Sequence, residues 1–291
     1  MEPPNLSRPT THLHPHRAIR KLHAEDPRRR IYLTGFSLGA NVILKALGEL
    51  GDEAPRLGVV GAAVACVPFD AVRSSSKIDT GFNRLVYAAN FLKTLKVKAA
   101  RKHAQHASED GQGPYDLERV LSCTKIGDFD DECVLTYCWW WWFVSQAPHT
   151  PNIYITIPRP HPKCRVIAKL HGFEDKIDYY RQSCSKQYLP HIRVPALVVN
   201  ALDDPFINEE GLPAQADVGA APLRLVYHKH GGHCGFIAGD ERPGTPEEDR
   251  WLPIELARFL LHVDAPFRGV CSQEEEESVV GDGGDLTTAM T

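Results

Sequence analysis

The chain has 291 residues, a formal net charge of −4 and a hydrophobic content of 43%. That length fits one large domain, and that apolar fraction suffices for a sizeable core. The slightly acidic balance excludes a dominant attraction to nucleic acid or to an anionic membrane surface. Eight cysteines are present, and no two stand at the C-x-x-C spacing of a zinc or redox site. No signal-peptide pattern precedes them, so they read as free thiols rather than a disulfide framework. The longest apolar run, Val134 to Val144, falls short of the ~20 residues that span a bilayer. The chain therefore reads as soluble or peripherally attached, with its compartment undetermined.

Residues 1–16 are rich in Pro, His, Arg and Thr and are expected to form a disordered N-terminus. His12, His14 and His16 alternate there, but no further ligand is in sight to fix a metal. From Arg17 the pattern is helical, with Ala18, Ile19 and Leu22 on one face and Pro27 stopping the run. Ile31 to Thr34 then reads as a short buried strand, Gly35 to Gly39 as a tight turn, and Asn41 to Leu50 as a helix closed by Gly51. Val59 to Val67 is a near-continuous apolar run ended by Pro68, the signature of a strand buried on both faces of a parallel sheet. Asn83 to Lys98 carries an amphipathic stripe. Ala196 to Asn200 and Leu223 to His228 are two further strands, and Trp251 to His262 is a further helix. This alternation predicts an α/β domain over 17–271 with a mostly parallel sheet, and a helical cap region over 72–195. Residues 272–291 are acidic and Gly-rich and read as a disordered tail.

Three segments carry chemistry. GFSLG, Gly35 to Gly39, matches G-x-S-x-G, the pattern of a serine held at the tip of a strained strand-to-helix turn. Glycines flanking Ser37 are expected to let strand and helix approach closely. Serine needs a base to take its proton, and two later loops offer one together with an orienting acid. Asp203 and Asp204 follow the strand ALVVN; His230 and His233 follow the strand LRLVYH. All stand past the carboxyl ends of strands, where the sites of open α/β sheets lie. Asp204 is preferred because Pro205 turns the chain directly after it, leaving Asp203 to cap that turn. His233 is preferred because Gly231 and Gly232 form a flexible corner, whereas His230 is expected to continue the strand as a buried or edge residue. Ser37 would attack an acyl carbonyl, His233 would act as base and then acid, and Asp204 would orient the imidazole. The backbone N–H of Leu38 would supply half of an oxyanion hole.

With these residues in hand, the chain resembles the α/β-hydrolase subfamily that includes bacterial YheT, the plant EMB8-like proteins and the abhydrolase-domain proteins of types one to three. The matching text is IYLTGFSLGANVILKALGE, VPFDA, KLHGFEDKIDYYRQ, VPALVVNALDDPF and HGGHCGF. The resemblance implies hydrolysis of carboxylic esters, acylglycerols or other lipid esters, by Ser37, Asp204 and His233. It calls for no organic cofactor and no metal. The expected partner is a small-molecule or lipid ester, with no nucleic acid; peripheral membrane contact stays open, and a monomer is expected. Members of this family carry early strands and an H-G loop with a second oxyanion donor ahead of the helix that ends near Pro27. This chain is expected to lack them, leaving the fold incomplete.

A second departure is an insert at about 133–165, with four consecutive tryptophans followed by a Pro-rich stretch. It reads either as translated non-coding sequence without a selected fold or as a lipid-facing lid, since Trp favours membrane interfaces. Two other functional readings stand beside the esterase. One is a catalytically silent piece of such an enzyme; the other is a module that binds a small molecule in the crevice without chemistry.

Overall fold

The computed structural model describes residues 13–107, 115–133, 176–237 and 251–280. Four strands, β1 (Ile31–Phe36), β2 (Val59–Ala65), β3 (Ala196–Ala201) and β4 (Leu223–His228), form one sheet in that order. Each neighbouring pair is parallel. The sheet is apolar on both faces because successive side chains alternate sides. Ala62 and Val64 of β2 join a core with Ile19, Leu44 and Leu47, whereas Ala63 and Ala65 join another with Leu252 and Leu256. The first core is covered by α1 (Leu13–Glu25) and α2 (Ser37–Leu50); the second, by the start of a long C-terminal helix. Burying each such Leu or Val side chain stabilises the fold by about 1.5–3 kcal/mol.

Between β2 and β3 the chain is helical almost wherever it is described. It runs through α3 (Glu53–Arg56) before β2, then α4 (Ala71–Ile78), α5 (Gly81–Asn83), a π-helical turn (Arg84–Ala88), α6 (Ala89–His106), α7 (Leu117–Ser122) and α8 (Ile126–Cys133). After these come α9 (Lys176–Ser183) and a 3₁₀ turn (Lys186–His191), with α10 (Trp251–Val280) closing the described chain. Helices α4 and α6 to α8 share their own apolar cluster, including Ile78, Leu92, Leu95, Val120, Ile126 and Phe129. Their ends are capped by aspartates. Asp70 accepts from the Arg73 N–H and Asp116 from the Arg119 N–H, while the Asp79 carboxylate takes the N–H groups of Ile126 and Gly127. Each such cap satisfies backbone donors that a helix start leaves unpaired.

The structure departs from the expected elements at several ends. Helix α1 begins at Leu13, not Arg17, so 13–16 are helical rather than frayed. His16 Nε2 lies 3.1 Å from the Ala46 carbonyl oxygen and ties α1 to α2. The expected helix over 83–98 is divided by the π-helical turn and runs on to His106. Helix α10 continues through 272–280, part of the expected disordered tail. Glu274 to Glu277 are good helix formers, and local propensity extends the helix past Pro266. Residues 1–12, the insert beyond Cys133, and 281–291 lie outside the described residues. Among the described residues no helix is long and apolar enough to cross a membrane.

Two buried asparagines pin the sheet to its surroundings. Asn41 on α2 donates to the Ser183 carbonyl at 2.9 Å and accepts from the Ser185 N–H at 2.8 Å. Asn200 on β3 accepts from the Val67 N–H at 3.1 Å and donates to the Val67 carbonyl at 3.2 Å. Both backbone groups of Val67 are thus satisfied by one side chain. Replacing Asn200 with Ala strands the buried Val67 N–H at a cost of ~1–3 kcal/mol, while the Val67 carbonyl keeps the Phe69 N–H at 3.1 Å. Asn200→Ala is expected to lower unfolding free energy by about 1–3 kcal/mol, measured by chemical denaturation against the parent chain.

Candidate active site

Ser37 sits where β1 becomes α2. The strand pairs with β2 as far as Phe36 opposite Ala65, and the helix starts at Ser37 with no intervening residue. The turn expected over Gly35 to Gly39 is therefore tighter than the sequence suggests. Ser37 holds φ at 52°, a left-handed conformation that side-chain-bearing residues avoid. The two motif glycines differ in role. A Cβ on Gly35 would lie 2.7 Å from Ile43 Cδ1 and 3.1 Å from the Gly39 carbonyl carbon, so the helix folds back too closely for any side chain. A Cβ on Gly39 would meet nothing within 4 Å among the described residues, so close approach of strand and helix depends on Gly35 alone. The Leu38 N–H lies in the first turn of α2, where backbone donors have no partner within the helix.

The acid and base loops meet. Asp204, just past β3, has no exposed surface. Its Oδ1 accepts from the Phe206 N–H at 2.8 Å, and its Oδ2 lies 2.8 Å from Nδ1 of His233. The His233 side chain is 17% exposed and rests against the Phe206 ring at 4.5 Å. Burial disfavours the charged imidazolium, but the hydrogen bond and charge of Asp204 outweigh it and hold the His233 pKa above the ordinary histidine value.

Asp203 makes a separate, exposed pair. Its Oδ1 accepts from the Gly232 N–H at 2.8 Å and its Oδ2 lies 3.3 Å from His230 Nδ1. The Gly232 N–H, with burial opposing and His230 helping, holds the Asp203 carboxyl below its usual range. Asp203 thus anchors the histidine loop rather than capping its own turn. His230 does not continue the strand: β4 ends at His228, and the His230 side chain is 89% exposed. The corner before His233 needs both glycines. A Cβ on Gly231 would stand 2.5 Å from the Phe236 ring, and Gly232 holds φ at 53°.

Three further residues, none singled out from sequence, position the site. Lys77 on α4 donates from Nζ to the carbonyls of Asp204 and Ile207, at 2.7 and 2.8 Å. Asn83 donates to the Pro205 carbonyl at 2.7 Å. Cys66 follows β2 as Ser37 follows β1, and it too is left-handed, with φ at 55°. Its position past a strand's carboxyl end was the signal that could have found it. Sulfur, carboxylate oxygen and ring nitrogen of Cys66, Asp204 and His233 lie within 4.8 Å of one another. Those three atoms are also the ones among the described residues placed to hold a metal ion, and two of them already bond to each other.

Ser37 and Cys66 each follow directly on the last paired residues of β1 and β2, Phe36 opposite Ala65. The structure joins His233 to Asp204 directly. No hydrogen bond links the Ser37 hydroxyl to His233 among the described residues, and catalytic bonds of this kind often tighten only in the loaded complex.

No family model matches the chain. It is 31% identical to YheT of Escherichia coli (strain K12) over 207 residues, which cover 70% of this chain and 48% of that protein. It is 24% identical to mouse monoacylglycerol lipase ABHD2 over 264 residues, covering 88% of this chain and 52% of the relative. The embryogenesis-associated protein EMB8 of Picea glauca is 28% identical over 244 residues, 82% of this chain and 44% of its own length. The chain spans about half the length of the curated relatives it matches. These likenesses fall on a chain with helices on both faces of a parallel sheet and a serine at a strand-to-helix elbow. The chain belongs to the α/β-hydrolase superfamily, in the subfamily of YheT, EMB8 and the abhydrolase-domain proteins.

Proposed function

We propose that this chain is a serine carboxylester hydrolase whose substrates are acylglycerols or related lipid esters. The observation that carries this reading is the His233–Asp204 bond, with its fully buried acid, in a chain whose Ser37 is left-handed at the end of β1. In the first half-reaction Ser37 Oγ attacks the ester carbonyl carbon while His233 Nε2 takes its proton. The oxygen that gains the electron pair meets the Leu38 N–H, one donor of an oxyanion hole. The tetrahedral species collapses, the ester C–O bond breaks, and His233 returns the proton to the departing alcohol. In the second half, water attacks the acyl-serine, His233 takes its proton, and Ser37 leaves protonated as the acid is released. Asp204 keeps Nδ1 protonated throughout and so leaves Nε2 free to accept.

The choice of lipid esters rests on the walls of the crevice and on relatives. Tyr87 and Phe91 both meet Phe206 edge-on, with centroids 4.9 and 5.6 Å away, and Phe206 in turn meets His233. Phe82 and Leu85, a few residues before Tyr87 in the chain, stand exposed at 70% and 76%. An acyl chain leaving the reacting carbon would find apolar surface along these aromatic rings. One relative carries the name monoacylglycerol lipase.

The full chain is expected to react with a fluorophosphonate probe at Ser37, and Ser37→Ala to abolish that labelling. A folded sample that takes no label, or a Ser37→Ala chain labelled equally, rejects the proposal. The pH dependence has a definite sign. His233 acts as base only when neutral, and Asp204 stabilises its charged form, so kcat/KM should rise with pH through a midpoint above the ordinary histidine value of 6.5. In Asp204→Asn the charge that raises the pKa is gone while burial remains. The His233 midpoint, read by NMR titration of the imidazole, should then fall, and kcat should drop by roughly 10⁴-fold, the loss found when the orienting acid of a serine triad is neutralised.

A further inference from the structure

We propose that Cys66 and Cys234 are an oxidisable thiol pair, closed to a disulfide by a hydroperoxide that enters at Cys234, and that the closed form is the unreactive state of Ser37. The last clause rests on the hydrolase reading; the pairing does not. The Cys234 N–H donates to Cys66 Sγ at 3.2 Å, which sets the two residues against each other. Both residues hold left-handed φ, 55° and 67°. Together with Ser37 they are the side-chain-bearing residues in that region among those described. No role in ester hydrolysis calls for either thiol.

The two differ in access. Cys66 is fully buried at the end of β2, whereas Cys234 is a surface residue whose backbone N–H meets the Cys66 sulfur. An oxidant in solution reaches Cys234 first. This difference in access separates an attacking sulfur from a resolving one.

The chemistry balances with hydrogen peroxide as the two-electron oxidant. The Cys234 thiolate attacks one peroxide oxygen and the O–O bond breaks. Cys234 becomes a sulfenic acid, and hydroxide leaves, becoming water on protonation. The Cys66 sulfur then attacks the sulfenic sulfur, forming the S–S bond and releasing the hydroxyl with the Cys66 proton as a second water. Two thiols and one peroxide give one disulfide and two waters.

The consequence for the site follows from distance. A disulfide brings sulfurs to about 2.05 Å, and the Cys66 sulfur now takes the Cys234 N–H at 3.2 Å, so closing the bond rearranges residue 234 against Cys66. His233 is its covalent neighbour, and a ~1 Å misplacement of a catalytic group can cost ~10²-fold.

The test treats the reduced full chain with hydrogen peroxide, with a chelator present throughout so that no metal at Cys66, Asp204 and His233 contributes. Remaining thiols are alkylated and unreduced peptides are mapped by mass spectrometry. The expected result is a Cys66–Cys234 cross-linked peptide that dithiothreitol removes. Fluorophosphonate labelling of Ser37 should slow by roughly 10²-fold on oxidation and recover on reduction. Cys66→Ser should leave Cys234 as sulfenic acid, and Cys234→Ser, at a surface position, should leave Cys66 unoxidised. Cys234 left reduced, halted at sulfenic acid in the parent chain, or joined to another cysteine overturns the pairing. A formed cross-link with unchanged Ser37 labelling overturns the coupling to the site. A reduced chain that never labels at Ser37 defeats the hydrolase reading instead, and the cross-linked peptide alone then decides the pairing.

Discussion

The hydrogen bond between Asp204 and His233 is the constraint on which the rest of the site depends. A carboxylate removed from water is stable only when each oxygen finds a partner. Asp204 has no exposed surface, and its two oxygens take one donor each, from the Phe206 backbone and from His233. Neither loop can therefore shift alone without leaving a buried charge unpaired. The sheet prepares this meeting. Ala201 pairs with His228 at the ends of β3 and β4, and the Leu202 N–H donates to the His228 carbonyl at 2.8 Å. Three residues past one strand and five past its neighbour, acid and base arrive at the same height.

Backbone strain concentrates at the same edge. Ser37, Cys66 and Cys234 are left-handed with side chains in place, a conformation that costs of order 1–3 kcal/mol each. Such strain persists only where packing on both sides determines the backbone. Around Ser37 that packing is evident: β1 is paired through Phe36, while α2 buries Ala40, Leu44 and Leu47 and is pinned at Asn41. The helix cannot unwind to relax Ser37 without exposing this core. Gly35 makes the geometry attainable, since the helix lies where any side chain at that position would stand.

The sheet and its edge were legible because burial on both faces leaves an unmistakable apolar run. VVGAAVACV and ALVVN read as strands, and Ser37, Asp204 and His233 fall where strand ends must place them. What stayed hidden depends on contacts across the chain. Asp203 and Asp204 are adjacent and chemically identical; only the fold decides that one faces a buried imidazole and the other the Gly232 N–H. Cys66 is marked in sequence only by its place at the end of an apolar strand, and its closeness to Asp204 and His233 emerges only once β2, β3 and β4 pair. The opposite roles of Gly35 and Gly39 follow from where Ile43 sits, which no motif encodes. The long reach of α10 reflects local propensity prevailing over a composition that suggested disorder.

The acid loop also depends on the helices between β2 and β3, not on the sheet alone. The Lys77 ammonium donates to two carbonyls of that loop, Asp204 and Ile207, and Asn83 donates to a third at Pro205. Hydrogen bonds from a charged donor contribute ~1.5–3 kcal/mol each, so α4 is a structural support of the Asp204 loop. The same region carries the aromatic row that leads away from His233, through Phe206 to Tyr87 and Phe91. Phe206 belongs to both systems: its backbone N–H holds Asp204, and its ring packs on His233. A displacement of these helices would therefore move the apolar wall and the acid together. The surface that would select an acyl chain and the group that orients the base are thus one mechanical unit, and a substitution that reshapes the wall at Phe206 or α4 should register in turnover as well as in substrate choice.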